Sequence, residues 1–359
     1  MNDFEEYIRQ GEPLQKEKSY AWQTAIGLQA VDDLKTSEYL IQTARQHIEG
    51  DITIEEAKQL IDSYYQSKTV RADIEDRTEE ADKVSARIAE ILSERTFTFS
   101  PVEYITIHRR LFQGIYKFAG KIREYNITKR EWVLKGETVL YASADSIRET
   151  LDYDFMQEKN FNYKDLNINE AITHIAKFIS GIWQIHAFGE GNTRTTAVFT
   201  IKYLRTFGFD ISNKAFANHS WYFRNALVRA NYNNWGRGIY ATTEYIEAFF
   251  RNLILFEHNE LKNRTMLVQE SSAQGIQSAN ESMKTVSKCN ICTLNCTLEE
   301  MAVLNFLREQ PKATQKEIAV HIGKSERTVK TITVNLTEKG IIERKNGKRN
   351  GFWEVKTND

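Results

Sequence analysis

Nine consecutive residues, His186-Ala187-Phe188-Gly189-Glu190-Gly191-Asn192-Thr193-Arg194, hold the side chains that a phosphate-directed reaction needs. A histidine stands four residues before a carboxylate, and Gly-Asn-x-Arg follows at once. His186 is of the type that takes a proton near neutral pH, as a general base does. Glu190 offers hard oxygen atoms suited to Mg²⁺. Arg194 presents a planar fork of donors that fits phosphate oxygens. An apolar helical run, Thr195 to Phe207, comes next, so the loop opens onto a helix N-terminus. Such a terminus carries unpaired backbone N–H groups and a positive dipole end, which together cradle anions. Base, metal ligand, arginine and anion cradle in one short stretch predict transfer of a nucleotide or phosphoryl group.

These residues must be positioned by the elements around them. A strongly amphipathic stretch, Asn169 to Trp183, predicts a helix leading straight into the loop. Helices are expected at 194–207, 219–232 and 241–261. Upstream, Ser100 starts a helix containing His108, Leu111 and Phe112. Glu124 to Ile127 and Trp132 to Tyr141 read as a small β-hairpin with Lys129-Arg130-Glu131 at its turn. His108, His174 and His219 read as packed or surface histidines on helices.

The first 70 residues predict three helices, Lys18 to Asp32, Ser37 to His47 and Thr53 to Tyr65. Ser37 is the N-cap of the second, and Thr53-x-x-Glu56 is a capping box for the third. The charged stretch Arg71 to Lys83 opens a further helix, because Val84, Ile88 and Ile91 continue its apolar stripe. Near the C-terminus, Leu298–Glu309, Gln315–Ile322 and Glu326–Lys339 read as three helices. Two short strands, Ile341–Arg344 and Gly351–Val355, flank a basic turn, which is the layout of a winged helix-turn-helix. The expected units are a helical module (1–70), a catalytic unit (71–265), a linker with the cysteines (266–296) and the winged helix (297–359).

The chain has 359 residues, of which 41% are hydrophobic and 27% charged, as in ordinary globular protein. Three prolines and 17 glycines fit a mainly α-helical fold. A net charge of −1 gives no global pull toward nucleic acid or membrane. No apolar run reaches the roughly 18 residues that a bilayer span needs. The acidic start, Met1-Asn2-Asp3-Phe4-Glu5-Glu6, lacks the apolar core of a signal peptide, so the cytoplasm is the expected location.

The motif resembles the signature of the Fic (filamentation induced by cAMP) family, HxFx(D/E)GNGRxxR. The resemblance extends over about 100–255, since Leu111-Phe112 to Phe118-Ala119-Gly120-Lys121-Ile122-Arg123 is similar to the start of the family's flap hairpin. It implies a Fic-type helical core with a small β-hairpin flap that aligns the target segment. It also implies an AMP-transferring enzyme that uses ATP and Mg²⁺ to modify a Ser, Thr or Tyr hydroxyl of a protein, itself included. By position, His186 is the implied base and Glu190 the implied Mg²⁺ ligand. Gly189, Gly191, Asn192, Thr193 and Arg194 are the implied nucleotide contacts, with Tyr222 on the helix behind the pocket. The sequence departs from the signature twice: Thr193 replaces the second glycine and Ala197 the last arginine. The competing reading is a DNA-binding transcriptional regulator whose Fic-like unit only senses a nucleotide.

The layout of residues 18–66 is similar to a small antitoxin module of the VbhA type. An inhibitory position then falls on the first helix, where Gln29 replaces an acid. That replacement is expected to accompany the loss of an arginine partner at 197. Cys289-x-x-Cys292-x-x-x-Cys296 leaves two readings open, a zinc or iron–sulfur site and reduced thiols. In the winged unit, Lys324, Arg327, Lys330, Lys345, Lys348 and Arg349 are candidate phosphate contacts, and Ser325, Thr328 and Thr331 candidate base contacts. DNA and a protein substrate are therefore the expected partners.

Overall fold

Helices start where the chain supplies its own caps. Ser37 and Ser100 accept backbone N–H groups three residues on, and Thr53, Asn167, Thr297 and Thr314 form reciprocal capping boxes. The computed structural model describes residues 4–67, 73–164, 166–209, 211, 214–268, 295–346 and 351–356. Its N-terminal part comprises α1 (Glu5–Gln10), α2 (Pro13–Gly27) running into a 3₁₀ turn (Leu28–Asp32), α3 (Glu38–Glu49) and α4 (Ile54–Gln66). Then come α5 (Asp73–Ser93), α6 (Pro101–Phe112), α7 (Ile147–Asn160), α8 (Ile168–Ile185), α9 (Asn192–Thr206), α10 (Ala215–Ala230) and α11 (Glu244–Leu255). The C-terminal unit holds α12 (Leu298–Glu309), α13 (Gln315–Ile322), α14 (Glu326–Glu338), β1 (Ile342–Lys345) and β2 (Phe352–Val355). Helices α1 and α7 were not among the expected elements.

The centre of the molecule is α9, in which every residue from Asn192 to Leu204 is buried. A helix buried on all faces belongs to the middle of a bundle, and α5, α6 and α8 pack around this one. The N-terminal helices complete the same core. Helix α2 lies on α5 and α10, with Trp22, Ala25 and Leu28 fully buried. Gly27 permits this closeness, because a Cβ there would sit 2.3 Å from the Ala217 carbonyl oxygen of α10.

The expected β-hairpin is corrected. Among the described residues, 121–143 contains no strand, and the reversal lies at 132–136 rather than at Lys129-Arg130-Glu131. Trp132–Leu134 form a 3₁₀ turn, and the Glu131 N–H donates to the Glu137 carbonyl at 2.9 Å. Lys135 and Gly136, both at positive φ (54° and 90°), make the turn. Val133 and Leu134 are fully buried, so the reversal is fixed by side chains driven inward and not by a ladder.

In the C-terminal unit β1 and β2 pair antiparallel, Ile342 opposite Val355, and the wing tip at 347–350 lies outside the described residues. The unit docks on the core. Asn305 Nδ2 donates to the Ile254 carbonyl at 2.9 Å, and Gly208, just past α9, lies against Ile322 of α13. The stretch expected to begin a linker at 266 is packed there: Met266 is fully buried, and the Val268 N–H donates to the Val133 carbonyl at 2.9 Å. No helix is long and apolar enough to cross a membrane among the described residues.

Candidate active site

The His186 backbone sits at the end of α8 in the left-handed region (φ 50°, ψ 57°). That conformation is unfavourable for a residue with a side chain, typically by about 1 kcal/mol or more. It persists because the carbonyls around it are held. The Arg123 guanidinium donates to the carbonyls of His186 (2.8 Å) and Ile185 (3.3 Å), and also to those of Tyr125 (2.6 Å) and Ala142 (2.5 Å). A cation at a helix C-terminus satisfies its last acceptors. Here it also ties both limbs of the 121–143 segment to the loop that begins at His186.

The His186 ring is turned inward between Tyr141 and Trp183, at centroid distances of 4.3 and 5.5 Å. Both ring nitrogens are buried without a well-formed hydrogen bond among the described residues. Burial, then the charges of Lys129, Arg123 and Arg224, hold its pKa well below the ordinary histidine range, against the opposing effect of the nearby Trp183 backbone. The ring is therefore neutral at physiological pH and has its proton acceptor unengaged.

The loop after His186 is braced from inside. Asn192 Oδ1 accepts the Phe188 N–H at 3.0 Å, and its Nδ2 donates to the Phe188 carbonyl at 2.7 Å. With both side-chain ends so engaged, Asn192 offers an anion its backbone N–H. The Thr193 hydroxyl turns back to accept the Trp183 indole N–H at 3.0 Å, so the methyl-bearing replacement for glycine is absorbed by the core. Gly191 (φ +77°) is the N-cap of α9 and gives it no side-chain cap. A Cβ at Gly191 would sit 2.4 Å from the Phe112 ring, and one at Gly189 2.8 Å from the Tyr125 hydroxyl. Uncapped N–H groups, a backbone that admits no side chain and an unengaged buried imidazole together fit a bound polyphosphate. Glu190, whose side chain is 54% exposed, fits Mg²⁺, which takes one or two carboxylates with phosphates and water.

Arg194 is buried and fully engaged. Nη1 donates to Gln29 Oε1 (3.0 Å), and Nη2 to Glu80 (2.6 Å) and the Tyr116 hydroxyl (3.2 Å). Nε forms an ion pair with Asp32 at 2.8 Å, off the axis of a hydrogen bond, and the guanidinium lies over the Phe112 ring at 4.8 Å. Burial opposes its charge, and Asp32, Tyr116 and Glu80 more than offset that. Gln29, read as the replacement of an acid whose partner would be an arginine at 197, meets Arg194, and Ala197 is buried in the core. Tyr222 is buried on α10, and no hydrogen bond or ring contact among the described residues ties it to the loop.

Of the two readings of His108, packed or surface, the structure shows the packed one, with the ring fully buried beside the loop. The Gly120 N–H donates to its Nδ1 at 2.8 Å, so the proton is on Nε2, which donates to the Glu190 carbonyl at 3.0 Å. Its ring stacks on Phe188 at 3.7 Å. Burial lowers its pKa to about 4, which keeps this neutral arrangement. The signal was His108-x-x-x-Phe112, two rings one helical turn apart on the buried face of α6.

Residues 98–204 match the profile of the Fic/DOC family, and residues 300–343 match that of the winged helix-turn-helix DNA-binding family. The chain carries a Fic/DOC domain. Fic proteins generally transfer a nucleoside monophosphate to a protein, using ATP and Mg²⁺. A Fic/DOC domain joined to a winged helix is the composition of a Fic-type enzyme or of a DNA-binding regulator. The zinc expectation gains no support. Cys289 and Cys292 lie outside the described residues, Cys296 is buried in the winged-helix core, and no metal-binding group appears among the described residues.

Proposed function

We propose that this chain is a protein nucleotidyltransferase that moves AMP from ATP to a Ser, Thr or Tyr hydroxyl of a protein. The observation that carries the reading is His186, a buried, neutral imidazole without a well-formed hydrogen bond among the described residues, beside an uncapped helix N-terminus. In the proposed step, His186 takes the proton of the target hydroxyl. The hydroxyl oxygen bonds to the α-phosphorus, the bond from that phosphorus to the bridging oxygen breaks, and pyrophosphate leaves with the electron pair. The N–H groups opening α9 hold the phosphates, and the 121–143 segment lies over the loop to line up the target. Glu190 would hold Mg²⁺, which when bound supplies neutralisation of phosphate charge. Positioning and charge account for most of the rate gain in such reactions.

A second reading, a nucleotide-sensing regulator, is favoured by the state of Arg194. Its donors are already held by Gln29, Asp32, Glu80 and Tyr116, three of them contributed by segments ahead of the matched Fic/DOC stretch. The deciding experiment incubates the protein with Mg²⁺ and each α-labelled nucleoside triphosphate, alone and with cell lysate, beside His186→Ala. A labelled band lost in the variant supports transfer and names the nucleotide. No label with any nucleotide, while Mg·ATP still binds, supports the sensor.

A further inference from the structure

Lys129 places its ammonium 2.7 Å from Oε2 of Glu190. The backbone presenting it is held from two sides. Two residues on, the fully buried Glu131 pairs with Arg224 of α10 at 2.8 Å, and Val133 accepts the Val268 N–H at 2.9 Å.

The other cations at the loop have partners that an incoming nucleotide does not remove. Arg194 is enclosed by Gln29, Asp32, Glu80 and Tyr116, Arg123 is bound to four backbone carbonyls, and Arg224 holds Glu131. Helix α9 offers no second cation at 197, which is a buried alanine. Lys129 differs in its partner. Glu190 is the carboxylate that a divalent ion would take, and a lysine left without it is a point charge on a flexible stem beside a polyanion.

We infer that Lys129 is a phosphate ligand of this site, exchanging Glu190 for a non-bridging oxygen of the polyphosphate when the divalent ion arrives. The inference rests on the nucleotide-binding reading above. It makes the 121–143 segment part of the nucleotide grip as well as a guide for the target.

The test is calorimetric binding of Mg·ATP, and separately of adenosine, to the full chain and to Lys129→Ala and Lys129→Arg, with thermal melts to confirm folding. Lys129→Ala is expected to weaken Mg·ATP binding roughly tenfold or more, the worth of a charge-assisted hydrogen bond, with Lys129→Arg within a few-fold of the parent. Adenosine, which has no phosphate, is expected to bind all three alike. Equal or tighter Mg·ATP binding by Lys129→Ala overturns the inference and leaves Lys129 as a cover on Glu190. So does Lys129→Arg binding as weakly as the alanine variant. A parent chain that binds no nucleotide sinks the functional reading on which this inference rests, an outcome distinct from a parent that binds Mg·ATP while Lys129→Ala binds it as tightly.

Discussion

At the scale of single residues, the site works by withholding partners from one histidine and giving them to everything near it. His186 is kept neutral by burial and by neighbouring cations. A base with a lowered pKa stays deprotonated as pH falls through the usual histidine value of about 6.5. Labelling is therefore expected to stay level from pH 8 to below about 6.5, and a loss of rate centred near that value would contradict the buried, neutral ring. His186→Ala is expected to lower the labelling rate by about 10² to 10⁴. Two other histidines set a stability limit. His47, which accepts the Trp22 indole N–H at 3.0 Å, and His108 both have pKa values lowered to about 4, chiefly by burial. Between about pH 6.5 and 4 the unfolded chain binds protons that these two folded-state rings refuse, so stability falls with pH across that window. Each histidine contributes on the order of 3 kcal/mol of loss by pH 4. Urea melts at successive pH values check this, and His47→Gln, which still offers Trp22 an acceptor, is expected to flatten part of the slope.

At the scale of elements, the decisive contacts join segments far apart in sequence. The 3₁₀ turn after α2 and helix α5 bring Asp32 and Glu80 onto Arg194 at the head of α9. Neutralising both, Asp32→Asn with Glu80→Gln, is expected to release Arg194 toward phosphate and tighten Mg·ATP binding roughly tenfold. Unchanged affinity in the same calorimetric assay would mean that this cluster only holds the fold. Point variants serve better here than removal of residues 1–70. Trp22, Ala25 and Leu28 are fully buried in the core shared with α5 and α10, and deletion would strip that core. A buried ion pair between Glu131 and Arg224 is one of the ties that hold the 121–143 segment. Glu131→Ala leaves Arg224 without its carboxylate, a loss of about 3 to 5 kcal/mol for a buried pair. A lower melting temperature and new protease cleavage within 121–143 are expected.

At the scale of the whole molecule, the winged unit is docked on the Fic/DOC core and many of its cations are internally paired. Lys324 meets Glu299 and Lys345 meets Glu343 at 2.7 and 2.8 Å. Lys339 meets Glu300 at 2.7 Å. Ser325 caps α14 and its hydroxyl also meets that of Thr328, and the Thr331 hydroxyl donates to the Arg327 carbonyl, so all three expected base contacts have local duties. Arg327 and Lys330 remain on the exposed face of α14. If this face meets DNA, Arg327→Ala and Lys330→Ala are each expected to reduce the salt slope of binding by about one. A slope that neither variant changes would place the DNA contact elsewhere or remove it.

The sequence alone determined what depends on local order. The Ser and Thr caps, the amphipathic periods and the Gly-Glu-Gly-Asn run fix helix starts and a loop at a helix N-terminus, because each is a matter of a few neighbouring residues. The motif chemistry was legible for the same reason, and so was the winged-helix order. Three features were decided only by the tertiary structure. Whether 121–143 forms a ladder depended on Val133 and Leu134 being drawn into a core assembled from other segments. His108 became a brace of Glu190 only once α6 lay beside the loop. The partners of Arg194 came from residues 165 and 114 positions away. A guanidinium buried by packing must find its charges wherever the packing brings them, and no local pattern states where that is.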